Sequence, residues 1–251
     1  MSKPYVSTKN LSNGNVEIEF FHPQHNSMPG DLLRYLADQI TALGADESVN
    51  LIVLRSGGDR TFCAGASFDE LVVIDDLQKG KEFFSGFAYV INACRKCPKL
   101  IVGRVQGKAV GGGVGLAAAV DYCFATTHAS IKLSELNIGI GPFVISPAVE
   151  RKIGLSAFSK ISLNPNEFYS AAWAQQHGLF HKVTESTDEM DQEIQLFIDH
   201  LATTNPEARK QMKQVLWSGC DHWDELLTER AQLSGQLVLS DFTKKALSKY
   251  K

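Results

Sequence analysis

The fold of this chain is best indicated by residues 99–139, KLIVGRVQGKAVGGGVGLAAAVDYCFATTHASIKLSELNIG. It begins with an apolar run, Leu100 to Val105, that predicts a buried strand. A loop with three consecutive glycines, Gly111 to Gly113, leads into a small apolar segment, Val114 to Val120, that predicts a tightly packed helix. A second strand is predicted from Tyr122 to Thr126. This order of strand, glycine loop, helix and strand is typical of an α/β protein.

One carboxylate, Glu135, follows in an otherwise uncharged setting. Glycines at the start of a helix leave backbone N–H groups uncovered, and the helix dipole adds partial positive charge there. Such a site stabilises developing negative charge, and a carboxylate beside it can move a proton. We therefore expect the glycine loop and Glu135 to form a reaction centre.

Length and composition restrict the classes of protein to be considered. The chain has 251 residues, of which 44% are hydrophobic, enough for one α/β core with a small appendage. The net charge of −3, from 25 basic and 28 acidic residues, argues against nucleic acid as a partner. No apolar run is long enough for a membrane span, and the N-terminal residues do not form a signal peptide. The odd count of five cysteines favours reduced thiols, and we expect a cytoplasmic protein.

Hydrophobic periodicity along the rest of the chain supports an α/β core followed by a helical tail. It predicts strands at 5–8, 16–20 and 49–55, helices at 31–43 and 75–94, and short helices at 147–153, 157–163 and 170–177. The last sixty or so residues are helical and rich in charge. We divide the chain into a core over residues 1–190 and a helical segment over residues 191–251.

Three local patterns are found in proteins of other functions, but each lacks a feature that its function requires. Cys94 and Cys97 have CxxC spacing but lack a second ligand pair for zinc and lie at the end of a helix. His22 and His25 lie in a loop without an acidic partner, and we expect no metal site. The segment 113–118 fits the dinucleotide pattern G-x-G-x-x-A, but it does not directly follow the first strand.

A combination of separate motifs resembles the crotonase superfamily, the enoyl-CoA hydratase/isomerase family. The motifs are Phe62-Cys-Ala-Gly-Ala66, Val105-Gln-Gly-Lys-Ala-Val-Gly-Gly-Gly113, Cys123 after Asp121, and Leu133-Ser-Glu135-Leu-Asn-Ile-Gly139. The His22-Pro-x-x-Asn26-Ser loop and the Ala174-x-x-x-Gly178-Leu segment agree as well. The resemblance implies a spiral of ββα units, a C-terminal helical segment used for trimerisation, and acyl-CoA thioester substrates.

The resemblance also implies roles for individual residues. The two backbone donors of the family's oxyanion hole fall on Ala66 and Gly112, and the catalytic glutamate falls on Glu135. The loops that hold the CoA thioester, and the pocket around the acyl group, fall on the following predicted substrate-binding residues: Gln24, His25, Asn26, Cys63, Ala64, Gly65, Gly111, Gly115 and Phe143. Coenzyme A is part of the substrate, so no separate cofactor is implied.

The sequence departs from the family pattern at two of these positions. Family hydratases carry two glutamates that hold a water molecule, and the first of them is replaced here by Gly115. A family glycine in the segment after Glu135 is replaced by Phe143, which narrows the predicted pocket. A single base is enough to carry a proton between two carbons. Asp69 and Glu70, just after the first oxyanion loop, are candidates for a second carboxylate.

We therefore expect an enoyl-CoA isomerase, with enoyl-CoA hydratase as the alternative, including branched-chain substrates. A non-catalytic acyl-CoA-binding or RNA-binding relative is a further alternative, which Glu135 and the negative net charge disfavour. Apolar residues of the tail predict a homotrimer or hexamer; they are Leu216, Trp217, Leu226, Leu227, Leu233 and Leu237. The sequence leaves the acyl group open.

Overall fold

The computed structural model describes residues 3–250 and contains twelve strands and ten α-helices within that range. The strands are β1 (Tyr5–Asn10), β2 (Val16–Phe21), β3 (Ser27–Met28), β4 (Leu51–Ser56), β5 (Thr61–Cys63), β6 (Gly65–Ala66), β7 (Leu100–Val105), β8 (Lys108–Val110), β9 (Tyr122–Thr126), β10 (Ser130–Lys132), β11 (Tyr169–Ser170) and β12 (Lys182–Thr184).

The helices are α1 (Gly30–Ala45), α2 (Phe68–Leu71), α3 (Leu77–Lys96), α4 (Gly112–Ala119), α5 (Ser146–Leu163), α6 (Ala171–Gln176), α7 (Thr187–Ala202), α8 (Pro206–Leu216), α9 (Trp223–Val238) and α10 (Asp241–Leu247). Short 3₁₀ helices cover Ser12–Gly14, Glu135–Ile138 and Ser248–Tyr250. None of the helices in the described range is long and apolar enough to cross a bilayer.

The strands form one large sheet and two small ones. The large sheet has six strands in the order β1-β2-β4-β7-β9-β12, in which only β1 and β2 pair antiparallel. A four-stranded sheet has the order β11-β10-β8-β5, and β3 pairs with β6 in a two-stranded sheet. From β7 to β10, successive strands alternate between the large sheet and the four-stranded sheet. The glycine loop lies between β8 and the start of α4.

The strands predicted from apolar runs agree with the structure. β7 and β9 have the predicted bounds, and β4 begins two residues later than predicted. All three lie inside the large sheet with neighbours on both sides, and their side chains are almost all buried. A strand that is buried on both faces is expected to be continuously apolar, which is why these segments were recognisable.

The predicted helices at 147–153 and 157–163 correspond to the two halves of α5, which Gly154, with a φ of 75°, separates by a non-helical backbone. The predicted division between residues 190 and 191 falls inside α7. Met190, Ile194 and Ile198 of α7 pack on Val53 and Val102 of the large sheet. Helix α7 therefore belongs to the core, and the tail begins with α8.

Much of the tail's apolar surface packs on its own core. Trp217 and Leu227 are buried, and an added Cβ at Gly80 of α3 would lie 2.9 Å from the Cα of Gly235 in α9. Leu216 and Leu233 remain exposed in the single chain, at 39% and 38%. The predicted trimer or hexamer would bury these two exposed leucines at a subunit interface, and it stays a prediction.

A buried ionic cluster around Asp121 attaches the tail to the core. The Lys213 Nζ donates to Asp121 Oδ2 at 2.7 Å, and their side chains are only 2% and 4% exposed. The Trp217 indole N–H donates to Oδ1 at 2.7 Å, and the backbone N–H of Ile101 donates to Oδ2 at 2.7 Å. The Asp121 carboxylate therefore accepts hydrogen bonds from three donors. One is in α8, one is in the residue directly after α8, and one is in β7.

Replacing Asp121 with alanine should lower the free energy of unfolding by about 3 kcal/mol or more, because it leaves the Lys213 ammonium buried without a counter-charge. Urea denaturation at neutral pH measures this change. The exposed pair Arg34–Glu82 supplies the control, since its side chains are 53% and 64% exposed. Glu82→Ala should change the free energy of unfolding by less than about 1 kcal/mol. Equal effects of the two substitutions would contradict this account of the tail.

Candidate active site

A cavity of about 340 Å³ lies beside the glycine loop. Its walls come from the β5–α2 segment, from α3, from the start of α4, from residues 132–145 and from α9. The predicted site residues Ala64, Gly65, Ala66, Gly111, Gly112, Glu135 and Phe143 all line it. The structure therefore brings together in one cavity the segments that carry the sequence motifs.

The three loop glycines are required because a different part of the protein packs against each one. A Cβ on Gly111, whose φ is 53°, would lie 3.0 Å from Oε1 of Glu135. A Cβ on Gly112 would overlap the ring of Phe87, and one on Gly113 would overlap Cys63. Only glycine fits at these positions without moving a neighbour.

The predicted oxyanion donors, the backbone N–H groups of Ala66 and Gly112, belong to two segments that line the cavity. Gly112 is the first residue of α4, and N–H groups in the first turn have no acceptor inside the helix. Ser67 donates its N–H to Met28 O at 3.0 Å. Because successive N–H groups of a strand point in opposite directions, the N–H of Ala66 is directed away from β3. The backbones are close, since a Cβ on Gly65 would lie 3.7 Å from Gly112 N.

Glu135 begins the 3₁₀ helix that forms one wall of the cavity. The helix ends at Gly139, whose φ is 82° and whose N–H donates to Leu136 O. The residue is partly exposed, but its Oε2 atom is buried and has no hydrogen-bond partner among the described residues. Burial raises the pKa of Glu135 from 4.5 to about 7, although the backbone N–H groups of Glu135 and Ser134 act in the opposite direction. The carboxyl group is thus able to accept and return a proton near neutral pH.

The wall around Glu135 is otherwise largely apolar. Phe84 and Phe87 of α3 line the cavity and form part of its apolar wall. Phe143 lines it as well, with its ring packed on Gly141. Ile145 completes this wall, and a Cβ on Gly115 would overlap its side chain. The space next to position 115 is thus filled by Ile145, and Gly115 itself does not line the cavity.

The two other candidate carboxylates lie outside the cavity. Asp69 accepts a hydrogen bond from the side chain of Gln24 at 3.0 Å. Glu70 accepts from the backbone N–H of Gly30 at 2.9 Å. Both side chains thus hold α2 against the loop before α1, and neither lines the cavity. Within residues 3–250, Glu135 is the only carboxylate that lines it.

The remaining predicted binding residues also lie outside the lining. Cys63 is fully buried, while Gln24 and His25 are exposed. The Asn26 side chain is occupied inside the protein, since its amide donates to Gly57 O and Thr61 O, each at 2.8 Å. Binding of substrate by these four residues stays a prediction.

The cavity also has polar lining residues to which the sequence analysis gave no role. They are Lys132, Ser134, Asn137 and Ser234. Ser134 and Asn137 belong to the motif around Glu135, whereas no local pattern marks Lys132 or Ser234, because their place in the lining depends on how distant segments meet. No group of three or more histidine, cysteine or acidic side chains within the described range is placed to hold a metal ion.

The raised pKa of Glu135 predicts a pH-dependent gain in stability for Glu135→Gln. Between pH 4.5 and about 7 the unfolded chain loses a proton that the folded chain keeps, so rising pH destabilises the wild type. We subtract the free energy of unfolding of the wild type from that of the variant. This difference should be about 3 kcal/mol larger at about pH 8 than at about pH 4. Urea denaturation at both pH values measures it. Glu150→Gln, on an exposed part of α5, is the control and should show no such pH-dependent gain. A gain for Glu135→Gln that is equal at both pH values would contradict the raised pKa.

Comparison with known proteins agrees with the geometry. An enoyl-CoA hydratase/isomerase family model matches residues 10–251. The enoyl-CoA hydratase AFT6-1 of Alternaria alternata is 29% identical over 203 residues, which are 80% of this chain and 66% of that protein. The mitochondrial methylglutaconyl-CoA hydratase of Homo sapiens is 30% identical over 167 residues, 66% of this chain and 49% of that protein. The chain thus spans less than two thirds of the length of both relatives.

The fold is shared with solved structures. The crystal structure of an enoyl-CoA hydratase from Bacillus halodurans superimposes with a TM-score of 0.91 at 21% identity and covers 98% of this chain and 99% of that one. The predicted crotonase-like fold is therefore confirmed. With the family model matched over nearly the whole sequence, the chain belongs to the enoyl-CoA hydratase/isomerase family.

Proposed function

We propose that this chain is an enoyl-CoA isomerase in which Glu135 is the sole proton shuttle. The observation that carries the proposal is that Glu135 is the only carboxylate among the described residues that lines the cavity. The space beside Gly115, where family hydratases carry their first glutamate, is filled by the side chain of Ile145. Moving a double bond needs one base, whereas adding water also needs a group to hold that water.

The proposed reaction begins with the thioester carbonyl oxygen accepting hydrogen bonds from the N–H groups of Ala66 and Gly112. Glu135 removes a proton from the carbon next to the carbonyl, and the electron pair of that C–H bond moves toward the oxygen to give an enolate. The two N–H donors stabilise the negative charge, and they do so without a side chain. Glu135 then returns the proton to the γ-carbon as the electrons flow back. The double bond moves from the β,γ to the α,β position, and no atom is gained or lost.

The properties of Glu135 support this assignment. A pKa of about 7 leaves a substantial fraction of the carboxyl group ionised at neutral pH and makes its conjugate acid strong enough to return the proton. The apolar wall of Phe87, Phe143 and Ile145 keeps bulk water away from the proton while it is held. CoA enters only as part of the substrate, so the proposal needs no separate cofactor.

Enoyl-CoA hydration is the second candidate, and the names of the relatives favour it. The Alternaria and human proteins are both named as hydratases, and the human one is named for methylglutaconyl-CoA, a branched acyl group. For this chain, hydration would require Glu135 to activate a water held by backbone groups or by Ser134 or Ser234. We rank it second because Ile145 fills the space next to position 115.

The wild type should convert a β,γ-enoyl-CoA into its conjugated isomer faster than it hydrates the corresponding α,β-enoyl-CoA. Glu135→Gln should lower kcat for isomerisation by at least ~10²-fold, the scale of a lost general base, while binding of the thioester persists. Both reactions are assayed on one preparation. For isomerisation, kcat/KM should rise with pH toward a plateau above about pH 7, because Glu135 must be ionised to act as a base. Faster hydration by the wild type would reverse our ranking.

A pair of variants provides a gain-of-function arm for the same assay. Gly115→Glu alone would press on Ile145, so the informative protein is Gly115→Glu combined with Ile145→Ala. This double variant should shift the ratio of the two rates toward hydration, because it adds a carboxylate and makes space for it. Ile145→Ala alone is the matched control, and a shift of equal size in that control would assign the effect to the enlarged cavity.

A further inference from the structure

Two lysines, Lys132 in the cavity lining and Lys108 outside it, lie on neighbouring strands of the four-stranded sheet. The Nζ atoms of Lys108 and Lys132 lie 5.3 and 5.0 Å from the ring centroid of Phe168. Within residues 3–250 neither ammonium group has a carboxylate within ion-pairing distance. The acidic residue next to Phe168, Glu167, instead accepts a hydrogen bond from Asn164. One aromatic ring thus gathers two positive charges that repel each other.

The position of Lys132 connects this pair to the reaction centre. Lys132 lines the cavity, and its carbonyl accepts the N–H of Gly111 at 2.9 Å. Gly111 directly precedes the proposed oxyanion donor Gly112 and lies against the carboxylate of Glu135. Strand pairing places Lys132 opposite Val110, which also lines the cavity. The backbone of Lys132 is therefore in contact with the loop that would hold the thioester carbonyl, and its ammonium group lies at the neighbouring ring of Phe168.

We propose that Lys132, assisted by Lys108, binds a second carboxylate at the far end of a short acyl group. The substrates would then be unsaturated dicarboxylic acids joined to CoA through one end. This inference rests on the proposed function, because it takes the thioester carbonyl to lie between Ala66 and Gly112. An ammonium group that forms an ion pair and hydrogen bond with such a carboxylate distinguishes it from an uncharged acyl group of equal length.

The phosphates of CoA are the other anionic groups that a lysine of this cavity would attract. They are separated from the thioester by the whole pantetheine arm, whereas the backbone carbonyl of Lys132 is hydrogen-bonded to Gly111, next to the proposed carbonyl donor Gly112. We therefore take the acyl group, and not the nucleotide, to lie beside Lys132. The location of the lysine therefore favours the acyl carboxylate as its partner.

The test measures binding of saturated, unreactive thioesters by isothermal titration calorimetry, so it does not depend on turnover. Wild-type protein should bind glutaryl-CoA at least ~10-fold more tightly than the methyl ester of glutaryl-CoA, the scale of a charge-assisted hydrogen bond. In Lys132→Met the two dissociation constants should agree to within about twofold. Lys160→Met is the matched control and should keep the wild-type ratio. Lys160 also lies over aromatic rings, 5.6 Å from Tyr169 and 5.9 Å from Trp173, but it does not line the cavity.

The same pair of acyl groups joined to pantetheine, without the nucleotide, identifies the source of the anion. The preference for the free carboxylate should persist in the pantetheine thioesters. If Lys132→Met weakens both CoA thioesters equally and neither pantetheine thioester, the lysine binds phosphate and the inference is wrong. Tight binding of both CoA thioesters by the wild type without a preference would overturn this inference and leave the proposed function standing. Failure to bind any of these CoA thioesters would overturn both.

Discussion

The close approach of three other segments to the backbone of Gly111, Gly112 and Gly113 is the constraint on which the rest of the site depends. The carboxylate of Glu135, the ring of Phe87 and residue Cys63 occupy the places where side chains would otherwise stand. Each contact comes from a different part of the chain, so the glycine loop is where β5 of the four-stranded sheet, α3 and the 3₁₀ helix meet. A side chain here would displace the carboxylate that we propose as the general base, the apolar wall or the segment that carries the proposed donor Ala66.

Glu135 and Asp121 show two different ways in which this protein buries a carboxylate. Asp121 receives hydrogen bonds from Lys213, Trp217 and the backbone of Ile101, and it stabilises the attachment of the tail. Glu135 lies against Gly111, with one oxygen buried and unpaired. Burial without a positive partner raises the pKa of Glu135 and makes the ionised form costly, which is unfavourable for stability. An unpaired acid of this kind, lining a cavity beside free backbone donors, is typical of a catalytic group.

The sequence predicted the elements whose signal is local. The buried strands β7 and β9 were recognisable from continuous apolar runs, and the glycine loop and Glu135 were recognisable as motif residues. The two halves of α5 were recognisable as separate helices, with Gly154 between them. The division predicted at residue 190 falls inside α7, because the charged surface of α7 concealed the apolar side, with Met190 and Ile194, that packs on the sheet.

The site itself was only partly predictable. Ile145 and Gly115 are thirty residues apart, and nothing in the sequence indicates that the Ile145 side chain fills the space where a side chain on residue 115 would lie. Lys132 is separated from Glu135 by two residues, yet its place in the cavity wall follows from the pairing of β10 with β8. Such contacts between distant segments are set by tertiary packing, which a single sequence does not display.

The central claim is that one carboxyl group, Glu135, carries the same proton from the α-carbon to the γ-carbon. A β,γ-enoyl-CoA with deuterium at both α-hydrogen positions tests it most directly, in ordinary water, with the product examined by mass spectrometry and NMR. The apolar wall of Phe87, Phe143 and Ile145 should keep bulk water from the protonated carboxyl group, so part of the deuterium should appear on the γ-carbon of the conjugated product. A conjugated product with only solvent hydrogen at the γ-carbon would contradict the claim.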